Sequence, residues 1–153
     1  MNQRDKTVCF TGHRKIIHSD VRQHLEEVIE ILIEDGFTYF GSGGALGFDT
    51  LAAQTVIRLK KKYSGIKLIL VIPFAAQAKG WPEKDRKIYY DIMKNADKLT
   101  FISKEYKRGC FHARNRYLVD NSSVCIAYQY KGCGGTAYTV DYAEKHGCNV
   151  IFL

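Results

Sequence analysis

No apolar run in the chain approaches the ~20 residues that a membrane-crossing helix needs. No apolar segment of secretory length follows Met1-Asn2-Gln3-Arg4-Asp5-Lys6 either. A cytoplasmic protein with no membrane partner is therefore expected. The cysteines are odd in number, at positions Cys9, Cys110, Cys125, Cys133 and Cys148, and no two show the short spacing of a zinc site or redox motif. Neither a disulfide framework nor a metal centre is expected. Cys9, Cys125 and Cys148 fall inside apolar runs and read as small buried hydrophobes in a reducing compartment. Linkers, low-complexity segments and internal repeats are also lacking, so residues 1–153 read as one domain, long enough for a core without staples.

What is present is an ordinary globular composition with a basic excess. Lys and Arg number 23 against 16 Asp and Glu, a formal charge of +7, which favours an anionic partner without specifying nucleic acid. Part of the excess is local: Arg58, Lys60, Lys61 and Lys62 close a helix, where cations suit the dipole.

Short apolar runs alternate with helical patterns along the whole chain. Strands are expected over residues 7–10, 37–40, 66–72, 99–102, 124–128 and 150–153, with Pro73 closing the third. Between them, Val21, Leu25, Val28, Ile29 and Leu32 recur at helical spacing after Ser19-Asp20. Further helices are expected over 48–62, from Pro82 as a first helical residue, over 111–121, and around Val140. Such alternation predicts an α/β, doubly wound domain: a mainly parallel sheet of about six strands with helices on both faces.

In that architecture the loops leaving strands share the carboxyl edge of the sheet, where ligands bind. Gly36, Gly65 and Gly147 follow helices and read as helix stops. The other unusual residues follow strands. Gly41-Ser42-Gly43-Gly44-Ala45-Leu46-Gly47-Phe48-Asp49 has the order strand, glycine loop, helix, and four glycines exceed what a tight turn requires. Gly43, Gly44 and Gly47 are expected to cradle an anion at the helix N-terminus, and Gly44→Asp to abolish binding without unfolding the chain. No Lys-Ser/Thr pair follows these glycines, which argues against a Walker-type ATPase. Asp49 reads either as a helix cap or as a partner of a ribose hydroxyl. At the end of the first strand, Thr11, Gly12, His13 and Arg14 are ligand-contact candidates, Arg14 as a phosphate clamp and His13 as donor or acid/base. Gly134, Gly135 and Thr136 form a second anion-binding candidate at a helix start. Gln77 and Trp81 lie on the same edge; Trp81, the single tryptophan, either stacks on a base or packs against the sheet. Of Arg114-Asn115-Arg116, at most Asn115 and one arginine can share a pocket, because helical neighbours point ~100° apart. His18, His24, His112 and His146 read as surface residues without partners.

These motifs carry a family likeness. Thr11-Gly12-His13-Arg14, Gly43 to Asp49 with Ala52, Pro73-Phe74 with Gln77 and Trp81, Arg114-Asn115-Arg116, and Gly134-Gly135-Thr136 with Tyr142-Ala143 stand in the order found in YpsA-like proteins. The chain thus resembles the YpsA-like branch of the SLOG superfamily of Rossmann-like proteins, which also holds the DprA DNA-processing proteins and the LOG-type cytokinin-activating phosphoribohydrolases. The resemblance implies a pocket for a nucleotide or nucleotide-sugar ligand, built by the loops after the first, second and fifth strands and serving a sensor or regulatory role. Two alternatives follow from the same superfamily. One is cleavage of a nucleotide N-glycosidic bond, with Asp49 or Asp141 as carboxylate and Arg114 as a catalytic cation. The LOG pattern Pro-Gly-Gly-x-Gly-Thr-x-x-Glu is not reproduced at residues 133–141, where no Glu stands three residues after Thr136. The other is single-stranded DNA binding of DprA-like type, permitted by the charge but not favoured. Self-association is also compatible with a superfamily of this kind.

Overall fold

The computed structural model describes residues 2–153. After a short 3-10 turn at Gln3–Lys6, the elements are β1 (Thr7–Gly12), α1 (Val21–Glu34), β2 (Tyr39–Ser42), α2 (Phe48–Leu59), β3 (Lys67–Phe74), α3 (Glu83–Asn95), β4 (Lys98–Ser103), α4 (Cys110–Asp120), β5 (Val124–Tyr128), α5 (Gly135–Lys145) and β6 (Asn149–Phe152). All five strand pairings are parallel, in the order β4-β3-β2-β1-β5-β6. The chain steps outward from β1 to β4. It then returns through α4 to β5, on the other side of β1. Reversal of direction places a topological switch point between β1 and β5, and a crevice there is the usual ligand site of an open α/β sheet.

Each face of the sheet is sealed by its own helices. Contacts link α1 to α2 and α2 to α3 on one side, and α4 to α5 on the other. Helical spacing turns Val21, Leu25, Ile29 and Leu32 of α1 inward, and Ala52, Ala53, Val56 and Leu59 of α2 likewise. They meet Val8, Phe10, Phe40, Leu68, Leu70 and Ile72 from the strands. Full burial of such side chains contributes roughly 1.5–3 kcal/mol each. On the opposite face Cys9, Cys125 and Cys148 pack with Val71, Leu118, Val119 and Ala143. All three are free thiols, as their apolar surroundings in the sequence imply.

Element bounds differ from the sequence reading in instructive places. The second strand runs two residues later than expected. It takes in Gly41, which pairs with both Cys9 and Ile69. A Cβ at Gly41 would sit 3.0 Å from Leu118 Cδ2, so this glycine lets α4 lie close on the sheet and is not part of the loop. The third strand continues through Pro73 to Phe74. Its ladder with β2 ends at Leu70, so the proline stands where only β4 is paired. Pro82 is the residue before α3 and not its first helical residue. α2 stops at Leu59, three residues early, where Lys61 N–H turns back to the Arg58 carbonyl. None of the helices among the described residues is long and apolar enough to cross a membrane.

Candidate functional site

A cavity of about 340 Å³ opens at the switch point. The end of β1 supplies Phe10, Thr11, Gly12, His13 and Arg14. The loop after β2 supplies Ala45 and Asp49, the first turns of α4 supply Phe111, His112, Arg114 and Asn115, and the start of α5 supplies Gly135 and Thr136. This size falls at the lower end of small-molecule sites, ~300–1,000 Å³. A smaller cavity, about 190 Å³, lies at the amino edge beneath α4. Its one arginine, Arg4, is spent on the carbonyls of Asp120, His146 and Gly147.

Arg114 is the best-anchored polar group of the larger cavity. It is 5% exposed; Nη1 donates to the Gly43 carbonyl at 2.6 Å and Nε to Asn115 Oδ1 at 2.7 Å. Among the described residues its Nη2 has no hydrogen-bond partner. Burial pulls the guanidinium below its ordinary value, and the Asp49 carboxylate opposes that pull. Asp49 is buried in turn. Burial pushes its carboxyl up, against the nearby charge of Arg114, the Ala45 N–H that donates to Oδ2 at 3.3 Å, and the charge of Arg14. Asp49 therefore ties the loop to the start of α2 while remaining open to the cavity. Arg14 differs from both: it is exposed and has no ion-pair partner among the described residues. As expected from helical geometry, Arg114 and Asn115 share the cavity, whereas Arg116 turns aside to donate to the Tyr138 hydroxyl at 2.9 Å.

His13 is held in a defined tautomer. The Lys131 backbone N–H donates to its Nε2 at 3.1 Å, so in the neutral ring the proton lies on Nδ1. Burial lowers the imidazole's value, and the Lys131 charge lowers it further. Its ring meets that of Tyr130 edge-on, with centroids 4.3 Å apart.

The glycine loop is built differently from a bare phosphate cradle. Gly43, Gly44 and Gly47 do not line the cavity. A Cβ at Gly47, where φ is +81°, would collide with the backbone of Arg14; the close approach lets Phe48 N–H donate to the His13 carbonyl at 3.1 Å. Gly43 offers its carbonyl to Arg114 and, at 3.4 Å, to Gln77 Nε2. Gly44 has φ +68°, and a Cβ there would press on Ile72 and Tyr89 at 3.1 and 3.3 Å. An aspartate at Gly44 would therefore disturb the core, and cannot serve as the clean binding test that the sequence suggests. Gln77 is buried beneath the loop, and Trp81 packs edge-on against Tyr89 at 5.2 Å. Neither reaches the cavity. Gly134 caps α5 from outside the lining with φ +90°. Asp141 lies exposed on α5, paired with Lys145 at 2.9 Å, so among the described residues Asp49 is the one carboxylate on the cavity wall.

Four residues that the sequence did not mark as site candidates also line it: Phe10, Ala45, Phe111 and His112. Phe111 packs against Phe74 and Tyr106, and His112 lies flat on Tyr138. His18 and His146 also have partners, the Tyr128 hydroxyl and the Tyr142 carbonyl, each at 2.7 Å. The His112 and His18 contacts cross between elements, where no sequence spacing announces them, whereas His146 stands four residues after Tyr142.

Comparison with known proteins agrees with this architecture. The family model named YpsA, described as the YspA SLOG family, matches residues 7–150, and the chain belongs to that family. A UPF0398 protein of Halalkalibacterium halodurans is 35% identical over 137 residues, covering 88% of this chain and 71% of the relative. A UPF0398 protein of Bacillus thuringiensis is 28% identical over 155 residues, covering 93% and 84%. Among solved structures, DNA processing protein A of Streptococcus pneumoniae superposes with a TM-score of 0.71 at 22% identity, over 98% of this chain and 50% of that one. The Helicobacter pylori counterpart, described for its single-stranded DNA binding mode, gives 0.69 at 24% identity, over 95% and 64%. The chain thus spans half to two thirds of these neighbours, and the likeness is one of fold.

Proposed function

We propose that this member of the YspA SLOG family binds a phosphate-bearing nucleotide or nucleotide-derived ligand in the switch-point cavity, as a sensor or regulatory domain. The observation that carries the reading is convergence of positive groups on one small cavity. Arg14 is unpaired and Arg114 is fixed in place, and both line it. So does the first turn of α5, which has no side-chain cap, leaving its N–H groups free for an oxyanion. One buried carboxylate, Asp49, offsets part of this charge and offers an acceptor for a hydroxyl. The division of labour is then a phosphate against Arg14 and the α5 N-terminus, with Asp49, Asn115 and Thr136 recognising the sugar. Calorimetric titration with adenosine 5′-monophosphate tests it. Wild type is expected to bind, and Arg14→Ala to weaken binding ~10-fold or more, the scale of a charge-assisted hydrogen bond. Equal affinity in both proteins would remove Arg14 from the site.

A second reading, single-stranded DNA binding, has its own support. Lys104, Lys107 and Arg108 flank Tyr106 in the sequence and are exposed, and Tyr106, itself 61% exposed, packs with Phe74 and Phe111. Basic residues interleaved with an exposed ring suit a strand, and the Helicobacter pylori neighbour is described as binding single-stranded DNA. Affinity for an oligothymidylate that falls steeply as salt rises would support this reading; no binding at low salt would end it.

A further inference from the structure

We infer that His112 is the stacking platform for the nucleobase of the ligand, which rests on the nucleotide reading of the cavity and assigns it a base subsite. The rings that line the cavity are not equivalent. Phe10 is buried between Phe40 and Phe48, with centroids 6.3 and 6.4 Å away. Phe111 is engaged by Phe74 at 5.9 Å and by the Arg114 guanidinium at 5.8 Å. His13 is held edge-on by Tyr130. Among the described residues His112 is the exposed ring of the four, with one face covered by Tyr138 and no ring on the other.

The covered face is unusually well supported. His112 and Tyr138 lie parallel, with centroids 3.9 Å apart and planes within 7°. Tyr138 is fixed by Arg116, and behind it the rings of Tyr142 and His146 continue the stack along α5, 6.4 and 3.8 Å apart in turn. Tyr142 is itself anchored, its hydroxyl donating to Asp120 Oδ1 at 2.8 Å. An imidazole backed in this way is a pre-oriented plane, so little rotamer freedom is lost when a base settles on it. Stacking needs no particular donor pattern, so the subsite takes a purine or a pyrimidine. The positive groups that hold phosphate line the same cavity, so one nucleotide can engage both.

The test titrates adenosine 5′-monophosphate and ribose 5-phosphate, which lacks the base, into wild type, His112→Ala and His112→Phe. Expected is a ~10-fold loss for the nucleotide in His112→Ala, no change for ribose 5-phosphate, and recovery in His112→Phe, which keeps a flat ring. Equal losses for both probes, or none for either, would overturn the base subsite while leaving the phosphate site standing. Wild type binding neither probe would overturn the nucleotide reading and this inference together. A short oligothymidylate run in the same series separates the source of the base: a loss confined to it would place a strand, not a free nucleotide, on His112.

Discussion

Replacing Arg114 by methionine keeps most of the buried stem volume and removes the charge, the bond to the Gly43 carbonyl and the bond to Asn115. Hydrogen bonds to charged groups contribute ~1.5–3 kcal/mol each. Asn115 can find water, and Gln77 still reaches the Gly43 carbonyl at 3.4 Å. The buried Asp49 also loses the charge that most offsets its desolvation. A net cost of ~3 kcal/mol follows. For a domain of this length that lowers Tm by ~6–12 °C, at ~2–4 °C per kcal/mol. The assay is urea and thermal unfolding of wild type, Arg114→Met, Asp49→Asn and the double variant. Because part of the cost resides in Asp49, Arg114→Met should be ~1 kcal/mol cheaper in the Asp49→Asn background. The pH dependence has a definite sign. Burial sets the folded value of Asp49 above its unfolded one, so its contribution is most favourable below the unfolded value and is lost as pH rises through the folded one. The gap between Arg114→Met and wild type should therefore narrow as pH is lowered toward the carboxylate range. A cost under ~1 kcal/mol, or an identical cost in both Asp49 backgrounds, would refute the coupling of Arg114, Gly43 and Asp49.

Gly47→Ala should cost at least ~3 kcal/mol in urea unfolding, from strain at positive φ plus collision with Arg14; near-wild-type stability would mean that the β1 and β2 loops do not interlock as described. Burial sets His13 below its ordinary value, so its contribution is fully present above the unfolded imidazole value and is lost as pH falls through that value toward the folded one. His13→Gln should flatten the decline of the urea midpoint in mildly acidic solution, and an unchanged slope would mean that burial and the Lys131 charge do not hold the His13 imidazole down. Four of the five cysteines are buried and Cys133 is exposed, so native protein should release one fast equivalent with a thiol-exchange reagent and all five after unfolding; Cys133→Ser losing none of the fast reaction would contradict this.

The alternation of apolar runs and helical patterns carries the fold because a parallel sheet covered on both faces demands it of every strand. Val8 to Phe10 and Val124 to Tyr128 are buried throughout, as uninterrupted apolar strands must be. The position of the switch-point cavity was legible for the same reason, since connectivity alone puts Thr11 to Arg14, Arg114 and Thr136 on one edge. The roles of individual glycines were not. A missing Cβ leaves the same mark in sequence whether a ligand, a guanidinium or another backbone fills the space. At Gly43 and Gly47 the occupant comes from Arg114 and Arg14. His112 stayed hidden because its partner Tyr138 lies on another helix, at no spacing that helical periodicity reports. Pro73 misled by local rule: its missing N–H matters less where the strand has lost one neighbour.

The most direct measurement is a nitrogen-15 NMR titration of the protein with adenosine 5′-monophosphate, which reports both binding and place. Shifts should concentrate at Thr11 to Arg14, Ala45, His112, Asn115, Gly135 and Thr136, and saturate together. The absence of saturable shifts at ligand concentrations on the order of millimolar, the upper end for a specific small-molecule site, would contradict nucleotide binding at the switch point. So would shifts gathered at the amino edge of the sheet.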